Sequence, residues 1–377
     1  MEFDFTEEQK ILRKSAHDFL SREFPRDVVS ELEESDLGYS PELWRKMADL
    51  GWMGLILPEE YGGSGGSYLD LMVLLEEMGY NTCPGPFFAS VVLGALPILT
   101  AGTEAQKEAF LPKLATGERI LTLALSEPGA GAGASSVRAT VSIHEDEVRT
   151  SGTKLFVPDA HVADTILWVA RNQESVDPEH GLSILLVDAE SPGITCTPLK
   201  TLARDKQCEV VFDDVRIPRS HVLGGADGGS TVVRDTLERA ALARGAEMLG
   251  GAQAVMDMAL TYAQDRVQFG RPIGTFQAIQ HHFADMWIDI NGSRILLYRA
   301  AWRISQGLAA HKEVAMAKAR IGEAYRRVTI LGHQIFGGIG FTTEHPMHLY
   351  HRRSIAGDAA FGDSDFQREE VARELGL

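Results

Sequence analysis

Apolar residues in the first third of the chain recur at helical spacing, and a fitting start signal opens each run. Thr6-Glu7-Glu8-Gln9 has the spacing of a capping box, in which the Thr6 hydroxyl accepts from the N–H of Gln9. Leu12, Ala16, Phe19 and Leu20 then form an apolar stripe. Ser40-Pro41-Glu42 marks a second helix start, followed by Trp44, Met47 and Leu50 on one face. Gly62-Gly63-Ser64-Gly65-Gly66 interrupts the chain, and a helical pattern resumes over 69–78. From about residue 120 the period changes. Short β-rich runs follow at 120–125, 139–143, 165–170, 183–187, 194–198 and 208–212, with turn residues such as Glu145-Asp146, Ser191-Pro192-Gly193 and Asp213-Asp214 between them. Strands this closely spaced, with no helix between them, predict a compact antiparallel sandwich or barrel. After Gly224-Gly225-Ala226-Asp227-Gly228-Gly229 the helical period returns over 230–268, 275–306 and 309–336. Long helices joined by short Gly/Pro turns predict an antiparallel bundle. The fold class is therefore α+β and multidomain: helical over 1–118, β over 119–222, and a helical bundle over 223–377.

Length and charge narrow the function. A chain of 377 residues exceeds one ordinary core, in keeping with several domains. Lys and Arg number 36 against 53 Asp and Glu, a net charge of −17. Such a surface repels phosphate backbones and anionic lipid, so neither nucleic acid nor membrane headgroups are expected partners. No stretch of apolar residues is long enough to span a bilayer, and Met1-Glu2-Phe3-Asp4 lacks the profile of a signal peptide. Cys83, Cys196 and Cys208 are odd in number and lack metal-ligand spacing, which fits free thiols in a reducing compartment. A cytoplasmic location is the expectation.

The candidate chemistry lies in loops and helix ends. Ser126-Glu127-Pro128-Gly129-Ala130-Gly131-Ala132-Gly133 leaves the first strand, and its small residues allow a backbone to approach a flat ligand closely. A plain surface loop has the same composition, and no βαβ unit follows to make it a dinucleotide fingerprint. The run from Tyr262 through Arg266, Phe269 and Gly270 to Gly274 ends one long helix, and Phe276-Gln277 opens the next. Arg266 can bind a diphosphate through its planar fork or simply complement a helix C-terminus. Gln334-Ile335-Phe336-Gly337-Gly338-Ile339-Gly340 ends another helix, where glycines admit a cofactor or only terminate the helix. His345, His348 and His351 recur every three residues, but no carboxylate or Cys completes a metal set, and no metal is expected. His281 and His282 are adjacent and point apart on a helix. A Ser-His-Asp order, a P-loop and an HExxH motif are all absent.

Together, in this order and at these distances, the motifs resemble those of the acyl-CoA dehydrogenase family. The Ser126–Gly131 stretch is similar to the family's T/S-E-P-x-A-G motif, and Phe5-Thr6-Glu7-Glu8-Gln9 to its opening. Arg266-Val267-Gln268-Phe269-Gly270, Phe276-Gln277 and the GGxG run at 337–340 match its C-terminal signatures. The resemblance covers essentially the whole chain. It implies an N-terminal helical domain, a central β-barrel or sandwich, a C-terminal four-helix bundle, a tetramer, and FAD as cofactor. By the same resemblance Leu125, Ser126, Gly131 and Ala132, with Phe156 and Pro158, line the flavin ring. Arg266, Phe269 and Gln277 reach FAD, and Gln334, Gly337 and Gly338 meet its diphosphate or adenosine across a subunit boundary.

Departures from the family pattern matter more than the matches. Pro158 stands where Thr is frequent and supplies neither N–H nor hydroxyl, and Ala132 stands where Ser is usual. The family's catalytic Glu removes the α-proton of an acyl thioester while a β-hydride passes to the flavin. Phe361, in Ala360-Phe361-Gly362-Asp363, occupies that place, and Ala240 occupies the alternative family position on the first long helix of the bundle. Neither can take a proton. Glu238, Asp358 and Asp363 are the nearby acids that a displaced base would draw on. A Phe-Gly-Asp ending of this style resembles subunits of heteromeric acyl-CoA dehydrogenases, including those acting on CoA thioesters of steroids, in which a partner chain carries the base. A self-sufficient homotetramer with a displaced carboxylate and a flavin-free structural subunit are the alternatives.

Overall fold

A computed structural model of the chain describes residues 5–129, 134–143, 147–172, 181–225 and 228–377. Helices α1 (Glu7–Glu23), α2 (Arg26–Glu34), α3 (Pro41–Asp49), α4 (Tyr68–Tyr80), α5 (Leu96–Ala101) and α6 (Glu104–Ala115) precede the sheet. Its strands are β1 (Leu121–Ala124), β2 (Thr140–Ile143), β3 (Glu147–Pro158), β4 (Thr165–Asn172), β5 (Leu182–Asp188), β6 (Ile194–Leu199), β7 (Gln207–Pro218) and β8 (Val222–Leu223). Helix α7 (Gly229–Asp265), a hairpin of β9 (Val267–Gln268) and β10 (Arg271–Pro272), and helices α8 (Gln277–Ser305), α9 (His311–Phe336), α10 (Met347–Ala359) and α11 (Ser364–Glu374) complete the chain. The predicted order of helices, sheet and helices is the observed one. Contacts divide it into two compact units. One holds the N-terminal segment through Ser30, Ser67–Cys83 and Ala241–Leu377, and the other holds Glu31–Gly66 and Pro84–Ala240.

In the first unit, α1 starts at the predicted capping box, with the Thr6 hydroxyl accepting from the Gln9 N–H at 3.3 Å and the Gln9 side chain accepting from the Thr6 N–H at 3.0 Å. Ser67 and Asp70 form a second box at the head of α4. Glu76 of α4 is 2% exposed and survives as a buried charge because Arg13, Arg294 and Tyr298 all donate to it. Helices α4 and α7 meet backbone to backbone: a methyl on Gly79 would run into the Glu247 carbonyl, and one on Gly250 into that of Glu76. Five residues, 306–310, link α8 to α9, which pack as a hairpin held partly by Arg320 and Arg327 on the buried Asp289.

The second unit is built on the sheet, whose order among the described residues is β6-β7-β3-β2-β4-β5-β8, with β1 also paired to β4. Its hydrophobic core gathers Val141, Val148, Ile166, Val210 and Ile217 around Trp168. The Trp168 indole stacks on Phe212 at 3.8 Å and donates to the Thr150 hydroxyl at 2.9 Å.

Three local expectations need correction. The sheet is mixed, because β1 and β2 both run parallel to β4, a pairing between strands not joined by a hairpin and therefore free of the antiparallel constraint. The longest strands, β3 and β7, are 12 residues each, and β3 went unpredicted because its sequence EVRTSGTKLFVP is broken by charges and glycine. Helix α7 ends at Asp265 instead of residue 268, since the chain turns into the β9–β10 hairpin there. Phe269 at φ 55° and Gly270 at φ 80° form its tip, the left-handed pair that a two-residue hairpin turn requires.

Candidate functional site

Two exposed patches and one strained turn carry most of the residues that the sequence singles out. On the sheet, Leu125 and Ser126 leave β1, while Phe156 and Pro158 end β3. Lys154 lies opposite Val210 but Val157 lies opposite Cys208, so β3 spends an extra residue between them. This is a bulge, and Phe156 sits in it at φ 57° with 59% of its surface exposed. Bulges re-aim side chains, and here an aromatic ring is turned out of the sheet onto a surface. Pro158 closes the strand with its carbonyl accepting from the Thr122 hydroxyl. Gly131 and Ala132 lie outside the described residues.

Beneath this patch is a buried ion pair that sequence reasoning missed. The Lys154 ammonium, 0% exposed, donates to Glu127 Oε1 at 2.6 Å and to the Leu125 carbonyl at 3.0 Å. Glu127 also accepts from the backbone N–H groups of Arg138 and Ala139, at 2.8 and 2.9 Å. Burial pushes the Lys154 pKa down to about 8, with Glu127 opposing the shift. No local signal marked it, because the partner of Lys154 lies 27 residues away.

In the other unit, Arg266, Phe269 and Gln277 surround the β9–β10 hairpin, and all are exposed. Phe269 is 93% exposed, and the Arg266 guanidinium makes no hydrogen bond within the described residues. Gln334, Gly337 and Gly338, at the end of α9, are exposed as well, and nothing lies within 4 Å of where a Cβ would stand on either glycine. Tyr262, one turn before Arg266, packs its ring 5.1 Å from that of Phe336, which precedes Gly337. A guanidinium with no partner among the described residues, an outward aromatic and open glycine backbone fit a cofactor with an anionic diphosphate and flat rings.

The turn between α10 and α11 holds Phe361 at φ 57° and Gly362 at φ 88°. A bulky residue in that region is strained and persists only when its surroundings fix it. They do so through three carbonyls. Lys318, fully buried on α9, donates to the carbonyls of Asp358 at 2.8 Å and Gly362 at 3.1 Å, while the Gln367 amide donates to that of Phe361 at 2.9 Å. Asp358 is buried, accepts from the Ser364 hydroxyl at 2.6 Å and pairs with Arg326 at 3.2 Å. Asp363 caps α11, accepting from the Phe366 N–H at 2.8 Å. Ala240 is buried in the first turns of α7, and Glu238 nearby is half-buried.

His345, His348 and His351 make local bonds. His345 accepts from the Met347 N–H and lies 4.2 Å from the Phe336 ring, and His351 shares a hydrogen bond with Thr329. Among the described residues no group of three or more His, Cys, Asp or Glu could hold a metal ion, and no helix is long and apolar enough to cross a membrane.

Similarity to known proteins extends along nearly the full chain. The acyl-CoA dehydrogenase N-terminal, middle and C-terminal domain families match residues 6–118, 122–215 and 227–376. A probable acyl-CoA dehydrogenase of Bacillus subtilis, YngJ, is 34% identical over 383 residues, covering 100% of each chain. A chain of the ChsE4-ChsE5 complex from Mycobacterium tuberculosis superposes with a TM-score of 0.90 at 29% identity, over 100% of this chain and 99% of that one. The Tcur3481-Tcur3483 steroid ACAD gives a TM-score of 0.87 at 31% identity, over 98% of each chain. Structures sharing this fold have been solved with FAD. On these grounds the chain belongs to the acyl-CoA dehydrogenase family of FAD-dependent oxidoreductases acting on CH–CH bonds.

Proposed function

We propose that this chain is one subunit of a heteromeric acyl-CoA dehydrogenase, completing a shared FAD site while a related partner chain supplies the catalytic carboxylate. The observation that carries this reading is the turn at residue 361. It holds an aromatic side chain, and the two acids beside it are engaged in scaffolding, Asp358 with Ser364 and Arg326 and Asp363 with the head of α11. An acid bonded in this way is not poised to meet a substrate proton.

When bound, FAD accepts the β-hydride of the acyl thioester. The chain's own residues then bind and orient. Leu125, Ser126, Gly131, Ala132, Phe156 and Pro158 border the ring. Arg266, Phe269 and Gln277 hold the cofactor further along, with Gln334, Gly337 and Gly338 contributed across a subunit boundary. A site assembled this way requires an oligomer, and exposed Trp287, Ile288 and Ile295 on α8 provide apolar surface for one. Likeness to the ChsE4-ChsE5 complex and to the Tcur3481-Tcur3483 steroid ACAD supports a heteromeric partner.

Co-expression with the related dehydrogenase chain, followed by native mass and flavin stoichiometry, tests the proposal. A tetramer of both chains with two flavins supports it. Turnover of an acyl-CoA by the homo-oligomer alone, abolished by Glu238→Gln, Asp358→Asn or Asp363→Asn, would instead establish a self-sufficient enzyme with a displaced base. Pro158 favours the second alternative, a flavin-free structural subunit, because it removes a donor from the ring segment. A flavin spectrum in the chain expressed alone eliminates that reading.

A further inference from the structure

We infer that Glu127 and Lys154 are positioning residues that fix the two flavin-bordering segments, 125–126 and 156–158, to one another from beneath. The inference rests on the reading that these segments border the ring.

The two ends of the connection between β1 and β2 converge on one carboxylate. Glu127 itself lies at the first, and it accepts from Arg138 and Ala139 at the second. Lys154 then ties that carboxylate and the Leu125 carbonyl to β3, while the Leu155 N–H donates to the Ser126 carbonyl at 2.8 Å. Lys154 is also the last residue in register before the bulge that turns Phe156 outward. The anchor is firm on its other side, since the ammonium lies 5.3 Å from the centroid of the Trp168 ring in the sheet core.

Energetics point the same way. A lysine that is 0% exposed and a glutamate side chain that is 6% exposed incur a large desolvation cost. Buried pairs of this kind are replaceable by apolar residues at little cost to stability, so their value here lies in geometry. Neither group reaches the surface where Ser126 and Phe156 are exposed. Their effect on the cofactor is therefore transmitted through the backbone.

The test compares Glu127→Gln, Lys154→Met, the apolar double variant Glu127→Leu/Lys154→Met and Phe156→Ala with wild type. FAD affinity, the visible flavin spectrum and the flavin midpoint potential are measured, alongside thermal unfolding followed by circular dichroism. The double variant is expected to unfold within a few degrees of wild type while its FAD affinity falls by about tenfold or more and its flavin spectrum shifts. Flavin properties that stay unchanged in all three Glu127 and Lys154 variants, with Phe156→Ala altering them, overturn the positioning role alone. If Phe156→Ala also leaves the flavin unchanged, the assignment of the ring segment fails with it. Affinity losses that simply track the loss of thermal stability across the set would mark the pair as structural only, and the inference would fall.

Discussion

Replacing Lys318 by Met should produce a stability deficit that widens as the solution becomes more alkaline. Lys318 is fully buried, and burial pushes its pKa from 10.5 down to about 8, against the pull of Asp358. At pH 7 it is still charged and satisfies two backbone carbonyls, those of Asp358 and Gly362. Methionine leaves both without that donor, a loss partly offset by no longer burying an ammonium, for a net cost of about 2 kcal/mol. The pH dependence follows from linkage. The folded value lies below the unfolded one, so between about 8 and 10.5 the unfolded chain retains a proton that the folded chain has released. Wild-type stability therefore gains from this group as pH rises through that window, by about 1.4 kcal/mol per unit and about 3 kcal/mol in all. Lys318→Met lacks the gain. Lys154 shares the same direction but is present in both proteins and cancels in the difference. Urea unfolding of both proteins at pH 7, 8, 9 and 10, at equal protein and FAD concentrations, reads the gap directly. A gap that stays level or narrows above pH 8 would refute the reasoning, because the ammonium would then not be desolvated in the folded chain.

Further expectations concern single contacts. Gly250→Ala should cost upwards of about 3 kcal/mol, since its methyl meets the Glu76 carbonyl on a facing helix, whereas Gly292→Ala, with nothing within 4 Å, should gain up to about 1 kcal/mol; thermal midpoints separate the two. Thr6→Ala removes the acceptor of the first capping box and should destabilise by about 1 kcal/mol, visible as faster amide exchange at Gln9. On the proposed reading, Phe361→Glu should give the isolated chain acyl-CoA-dependent flavin bleaching that wild type lacks, and because the φ of 57° strains either side chain alike it adds no new backbone cost. Persistent inactivity of a folded, flavin-bearing Phe361→Glu protein would argue against that turn as the site of proton abstraction.

What the sequence made legible was local. The capping box at Thr6, the helix start at Ser40 and the three long C-terminal helices are all written in short-range spacing and reappear in the structure. Pairing between distant strands has no such signature, which is why the parallel partners of β4 could not be read off. Strand β3 was hidden for a related reason. Its buried Lys154 looks like a surface residue until the carboxylate that neutralises it arrives from a loop 27 residues earlier. At the candidate site the exposed Arg266, Gln334 and glycines were recognisable as motifs. The bulge that presents Phe156 is a property of two strands in register, and the left-handed tip at Phe269 and Gly270 only of a hairpin once formed.

On the proposed reading, the turn at Phe361 carries no acid while bonds from neighbouring elements keep its backbone in place. The bonds to the carbonyls of this turn come from the elements around it. Lys318 comes from α9, Gln367 and Ser364 from α11, and Asp358 from the last turn of α10. The backbone at 361 is thus held in its strained conformation by bonds to its carbonyls from α9 and α11. Asp358 and Asp363 are parts of the brace, and asking either to accept a substrate proton would release a bond that keeps the turn in place. On the proposed reading, a proton acceptor introduced through a partner chain conflicts with none of these bonds. Such a division of labour costs the fold less than recruiting an acid already committed to its structure.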